Sequence, residues 1–178
     1  MSAKKKRVLA ISGSTRKKST SESILRAVAE IYSESFEMEM FLDIASLPHF
    51  NPDLDNEKVD ADVARFRRSI ENADAVIFCT PEYVFSLPGT LKNALDWTVS
   101  TTVFSNKPAA MIVASTGGEK AFESLELILK TIGAAVADES KLLIQGARSK
   151  LGGNGELLDK ETIKKIKGVV DSLITAIG

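Results

Sequence analysis

The hydrophobic pattern alternates between short solid runs and runs spaced three or four residues apart. Arg7 to Ser12 (RVLAIS) is a short apolar run with charge before it and Gly-Ser after it, which reads as a buried strand. From Ser19 to Ser33, Ile24, Leu25, Val28 and Ile31 recur on one helical face, with Thr20 or Ser21 as N-cap and Glu22 in the first turn. Phe36 to Leu42 alternates apolar and acidic residues, a second and less buried strand. Asp43 to Lys58 carries two prolines and three aspartates and reads as a long loop of the kind that often shapes a site. Val63, Phe66 and Ile70 mark a helix over Val59 to Asn72, and Ala73 to Cys79 is a third, buried strand. Leu87 to Thr102 reads as a helix entered at Pro88-Gly89, and Pro108 to Ser115 as a fourth strand. After Gly117-Gly118 comes a helix with Phe122, Leu125, Leu129 and Ile132 as its stripe. Ala135 to Gln145 holds a fifth strand, interrupted around Asp138 to Lys141. Gly152 to Gly155 is a turn, and Asp159 to Ile177 a final helix facing inward through Ile163, Ile166, Val170, Leu173 and Ile177.

The order is strand then helix, five times over, with no internal repeat and no linker, so residues 1–178 read as one domain. Solid apolar strands between amphipathic helices imply a parallel sheet covered on both faces. The expected fold is α/β, a flavodoxin-like three-layer sandwich with a five-stranded parallel sheet in the order 2-1-3-4-5. In such sheets ligands lie beyond the carboxyl ends of the strands, at the switch between strands 1 and 3. Here those ends lead into Gly13–Thr20 and Thr80–Ser86.

Composition narrows the classes. The chain has 178 residues, 44% apolar and 26% charged, with a net charge of −1, so no global field favours nucleic acid or a membrane surface. No apolar run approaches the roughly 20 residues of a membrane span. Lys4 to Arg7 reads as a solvated lead-in to the first strand. The single cysteine, Cys79, excludes an intrachain disulfide and a CxxC site and fits a reducing, cytoplasmic setting. The single histidine, His49, excludes a multi-histidine metal site.

The candidate chemistry lies in the loops. Gly13 to Ser21 lacks a Walker loop and a GxGxxG fingerprint. It offers the hydroxyls of Ser14, Ser19, Thr20 and Ser21, the guanidinium of Arg16 and the N–H groups of a helix start, which together suit a phosphate monoester. An exposed polar turn with a capping serine is the plainer alternative. In Thr80 to Ser86, proline, aromatic and backbone amides suit the face and edge of a flat ring. Glu82 is a general-acid candidate, though a loop carboxylate paired with a nearby base or lying in solvent is the preferred reading. Tyr83 and Phe85 suit core or subunit contacts as well as a ligand. Ser115-Thr116-Gly117-Gly118 lets backbone approach a ligand, or simply turns. His49 reads as surface polar, and Cys79 and Trp97 as packing.

These loops resemble the NADPH-dependent FMN reductase family, flavodoxin-like enzymes that include quinone, chromate and azo-dye reductases. The loop after the first strand is similar to GSxRxxSxN through Gly13, Ser14, Arg16 and Ser19, with Ser21 where Asn is usual. The loop after the third strand, with the helix that follows, is similar to PEYNxSxPGxLKNAxDW through Pro81, Glu82, Tyr83, Ser86, Pro88, Gly89, Leu91, Lys92, Asn93, Ala94, Asp96 and Trp97, with Val84 where Asn is usual. LPHFNPDLD is also similar to a family segment. The resemblance implies a non-covalent FMN, its phosphate on Ser14, Arg16, Ser19, Thr20 and Ser21. Its ring would lie against Pro81, Glu82, Tyr83 and Val84, with Ser115 and Gly117 at another edge. It implies hydride from NADPH or NADH to the flavin and on to a small-molecule acceptor (quinone-like, azo, metal-oxyanion or free flavin), with no side chain required as acid or base. It further implies a homodimer or homotetramer. Two other classes remain open in the sequence: a flavodoxin-like electron carrier, which the near-neutral charge disfavours, and a cofactor-free interaction domain.

Overall fold

The computed structural model describes residues 5–178; Lys4, the start of the basic lead-in, lies outside them. Five parallel strands run in the order β2-β1-β3-β4-β5. They are β1 (Lys6–Ser12), β2 (Phe36–Phe41), β3 (Ala75–Thr80), β4 (Ala109–Ser115) and β5 (Lys141–Gln145). The helices are α1 (Thr20–Ile31), α2 (Ala61–Asn72), α3 (Gly89–Asp96), α4 (Glu119–Thr131) and α5 (Lys160–Ile177).

Two-residue alternation on the strands divides the core. Leu9, Ile11, Val76 and Phe78 point to one face, where Val63, Phe66 and Ile70 of α2, Leu91 of α3 and Leu125 and Leu129 of α4 close over them. Val8, Ala10, Ala75 and Ile77 point to the other, under Ile24, Leu25 and Val28 of α1 and Ile166, Val170 and Leu173 of α5. Helices on both faces make the three layers, and the three central strands are buried along most of their length. The edge strand β2 keeps its alternation, with Glu37 and Glu39 outside.

Several boundaries differ from the sequence expectation. The third helix is eight residues, Gly89–Asp96, not Leu87 to Thr102. Beyond it the chain tightens into successive i to i+3 turns through Thr98, Val99 and Thr101, and the Trp97 carbonyl accepts from Arg67 Nε at 2.7 Å. The N-cap of α1 is Ser19, whose Oγ accepts the Glu22 N–H at 3.1 Å, and not Thr20 or Ser21. The fifth strand begins only at Lys141, after a short 3-10 turn at Asp138–Ser140.

The long loop is a structural strap. The Pro48 carbonyl accepts from Asn93 Nδ2 at 2.9 Å and Trp97 Nε1 at 2.7 Å, while the Phe50 N–H donates to Asn93 Oδ1 at 2.8 Å. Phe50 meets the Trp97 ring edge-on at 5.1 Å. Farther along, Asp55 pairs with Arg67 at 2.8 Å and accepts from the Ser100 hydroxyl. Burial alone would raise the Asp55 carboxyl; the hydrogen bonds from Ser100 and Arg67 outweigh it and hold it below the usual range. Asn93 is therefore the hook that binds this strap. His49 is exposed beside it.

Candidate functional site: a cleft at the carboxyl edge of the sheet

Register brings four strand ends to one edge: Ser12 opposite Cys79, Thr80 opposite Val113, Ser115 opposite Gln145. The loops that leave this edge enclose a cleft of about 440 Å³. No residue of the long loop lines it.

The loop after β1 turns hard against β3. The Gly13 N–H donates to the Cys79 carbonyl at 2.8 Å, and a Cβ at Gly13 would stand 2.1 Å from Thr80 Oγ1, so only glycine fits this crossing. Beyond it Ser14, Arg16, Ser19, Thr20 and Ser21 line the cleft. The Ser19 hydroxyl accepts the capping N–H, which leaves its own proton free to donate. Ser21 Oγ is buried and, among the described residues, is the buried side-chain polar atom with no hydrogen-bond partner. Its neighbour is the Cys79 thiol, which is too weak a partner to satisfy it. Burial pushes that thiol up to about 12, outweighing the opposing effect of the Ser21 hydroxyl, so Cys79 is an inert core residue.

The loop after β3 supplies Pro81, Glu82 and Tyr83 to the cleft. Tyr83 and Ser86 exchange backbone hydrogen bonds at 2.9 and 3.0 Å across Val84 (φ +50°) and Phe85 (φ +55°), a two-residue turn of type I′. Val84 stands at its tip, 96% exposed, with Phe85 at 79%, so the Val84 side chain is outside the cleft wall. Glu82 neither pairs with a base nor lies free in solvent. Its Oε2 accepts the Ala121 N–H at 2.9 Å. The N-cap of α4 is Gly118, which has no side chain to cap with, so Glu82 caps that helix from a different loop. Gly117 stands beside this carboxylate, where an added Cβ would be 3.9 Å from Glu82 Oε1, and is likewise outside the wall.

Ser115 and Thr116 line the cleft at the end of β4, as does Ala114. The fourth side was not foreseen. Gly146 (φ +60°) ends β5, its N–H donates to the Thr116 carbonyl at 3.1 Å, and the following 3-10 turn brings Ala147, Arg148 and Ser149 to the cleft. Its signal in the sequence was Gln145-Gly146-Ala147-Arg148-Ser149 directly after a strand, a glycine followed by a cation and a hydroxyl. The cleft thus joins hydroxyls and two guanidiniums to a tyrosine, a proline and two alanines. No histidine or cysteine lines it.

Residues 6–148 match the sequence pattern described as NADPH-dependent FMN reductase. The chain belongs to that family. This FMN reductase family member is 37% identical to an NADPH:quinone oxidoreductase from Arabidopsis thaliana over 94% of this chain and 89% of that one. It is 33% identical to an NAD(P)H-dependent FMN reductase from Pseudomonas aeruginosa, over 94% and 92%. Among solved structures, the flavoenzyme NAD(P)H:acceptor oxidoreductase FerB from Paracoccus denitrificans superposes with a TM-score of 0.84 at 31% identity, covering 97% of each chain.

Proposed function

We propose that this protein is an NAD(P)H-dependent flavin oxidoreductase that holds FMN in the cleft and delivers its electrons to a quinone. Family membership supports the reaction class. The observation that carries the site is the unsatisfied Ser21 Oγ, buried in the wall of a cleft at the switch point. A buried hydroxyl without a partner is costly, and an anion accepting from it removes that cost. Ser14, Ser19, Thr20, Ser21 and Arg16 would hold the FMN phosphate, and Pro81 and Tyr83, with backbone of the Glu82–Val84 and Ser115–Gly117 segments, would hold its ring. Bound there, the flavin supplies the two-electron chemistry. The protein's part is to hold it: Glu82 fixes the β3 loop to α4, and Gly13 brings the phosphate loop beside β3. No carboxylate, imidazole or thiol is required to move a proton.

A quinone is the acceptor favoured by the relatives' activities. No helix of the described residues is long and apolar enough to cross a membrane, and a cytoplasmic setting suits the lone buried cysteine. Tyr83, Val84 and Phe85 form an exposed apolar tip beside the cleft, which a second copy of the chain covers in a homo-oligomer. Light scattering on the wild type and on Phe85→Asp tests that contact; a monomeric wild type overturns it. For the activity, purified protein is mixed with FMN, NADPH or NADH, and a quinone. Nicotinamide oxidation well above the free-flavin background is expected; oxidation no faster than that background overturns the reading.

A further inference from the structure

A second recess of about 500 Å³ lies directly beside the cleft, between the Gly13–Thr20 loop and a small hairpin. The hairpin is built rather than loose. Leu151 and Leu157 bridge, the Gly152 N–H donates to the Glu156 carbonyl at 2.8 Å, and Gly155 (φ +86°) presses toward Ser23 of α1, where an added Cβ would stand 3.0 Å from the hydroxyl. Arg16, Lys18 and Arg148 line this recess together with Thr20 and Ser23, and no carboxylate does. Among the described residues the charged groups of these three side chains make no ion pair or hydrogen bond, although the Lys18 backbone N–H donates to Glu22 Oε2 at 3.2 Å. The neighbouring recess over α1 is larger, about 740 Å³, but Glu22, Glu30 and Glu156 line it along with Lys18 and Arg26, so it has no preference for an anion.

We propose that the Arg16–Lys18–Arg148 recess binds a phosphate of an adenine dinucleotide next to the FMN phosphate. The inference rests on the flavin reading above. Arg16, Thr20 and Arg148 belong to both cavities. Two anions in adjacent cavities repel one another, and guanidiniums in the shared wall offset that repulsion. Lys18 and Ser23 serve the recess and not the cleft. The N–H groups of Gly152, Asn154 and Gly155 are taken within the hairpin, by the Glu156 carbonyl, the Glu156 carboxylate and the Gly152 carbonyl, so the turn adds the Gly153 N–H alone, where an added Cβ would meet nothing. A dinucleotide phosphate reaches this place by two routes: as part of NAD(P)H, or as the second phosphate of FAD in place of FMN.

The test uses FMN-loaded protein titrated calorimetrically with adenosine 2′,5′-bisphosphate, and flavin-free protein titrated with FMN and with FAD by fluorescence quenching. Lys18→Glu weakens one of the adenine ligands about tenfold, and Lys18→Arg keeps it within about threefold, while FMN affinity stays within about twofold in both. Loss confined to the bisphosphate assigns the recess to NAD(P)H; loss confined to FAD assigns it to the dinucleotide flavin. Normal FMN binding with both adenine ligands unaffected by Lys18→Glu overturns this inference alone. Failure of FMN to bind the wild type overturns the flavin reading, and this inference with it.

Discussion

Ser21 separates a ligand-binding role from a structural one by the signs of two effects. A buried hydroxyl that serves the fold costs stability when removed; one left unsatisfied until a ligand arrives does not. Ser21→Ala is therefore expected to leave the flavin-free protein as stable as the wild type or slightly more so in urea, while weakening FMN by about 1 kcal/mol, near fivefold. A stability loss with unchanged FMN affinity would make Ser21 a core residue only. The Val84-Phe85 turn gives the opposite kind of test. Type I′ turns need positive φ at both central residues and favour Asn-Gly, whereas a β-branched and an aromatic residue are strained there. Replacing the pair by Asn and Gly is expected to raise the unfolding free energy by about 2 kcal/mol in dilute protein, measured by urea denaturation. The sequence showed that Val84 departs from the usual Asn. It did not show the consequence, because residue identity reveals a missing amide but not the left-handed backbone that the amide's owner tolerates.

At the scale of elements, the cleft depends on contacts between loops that are far apart in sequence. Glu82 and Ala121 are 39 residues apart, yet one carboxylate oxygen closes the exposed N-terminus of α4. Glu82→Ala is expected to cost about 1 kcal/mol, the scale of a lost cap, and Glu82→Gln to recover part of it through the side-chain carbonyl. Glu82→Gln should also leave the pH profile of quinone reduction unchanged; a general acid at this position would instead lose about two orders of magnitude or more in rate. The strands were legible because a parallel sheet buried on both faces demands solid apolar runs, and the stripes of α1, α2 and α5 because one face of each is buried. The length of α3 was not legible. Buried Trp97 and Thr98 continue its apolar spacing after the helix has ended, in a stretch of i to i+3 turns whose Trp97 carbonyl accepts from Arg67, a residue on α2. The long loop was legible as a loop but not as a strap, since its partners Asn93, Trp97 and Arg67 lie elsewhere in the chain. The Gly146–Ser149 wall was missed for a related reason: a four-residue turn has no period to read.

For the molecule as a whole, three groups set the limits of its stability with pH: Asp55 in the strap, Cys79 in β3 and Tyr32 at the end of α1. On the acid side Asp55 is held below its usual value, so its contribution is present above about pH 4 and is lost as pH falls through the folded value. On the alkaline side the buried proton donors act. The Cys79 thiol rises from 9.0 to about 12 because the centre of the sheet excludes the thiolate. Tyr32 is held above its usual 10.0 by burial and by its 2.6 Å hydrogen bond to Asp171. Raised values mean that the unfolded chain loses these protons first, so stability is full below the unfolded values and declines as pH rises beyond them. Unfolding free energy is thus expected to be level from about pH 5 to 8 and to fall above about pH 9, with a slope approaching about 1.4 kcal/mol per pH unit for each group that has ionised only in the unfolded chain. Cys79→Ala lowers the whole curve by leaving a small void, but it moves the onset of the alkaline fall from 9.0 toward the 10.0 of Tyr32. Urea midpoints measured at half-unit steps from about pH 7 to 11 decide the point: an onset unchanged by the substitution would show that Cys79 ionises as readily in the folded protein as in the unfolded chain.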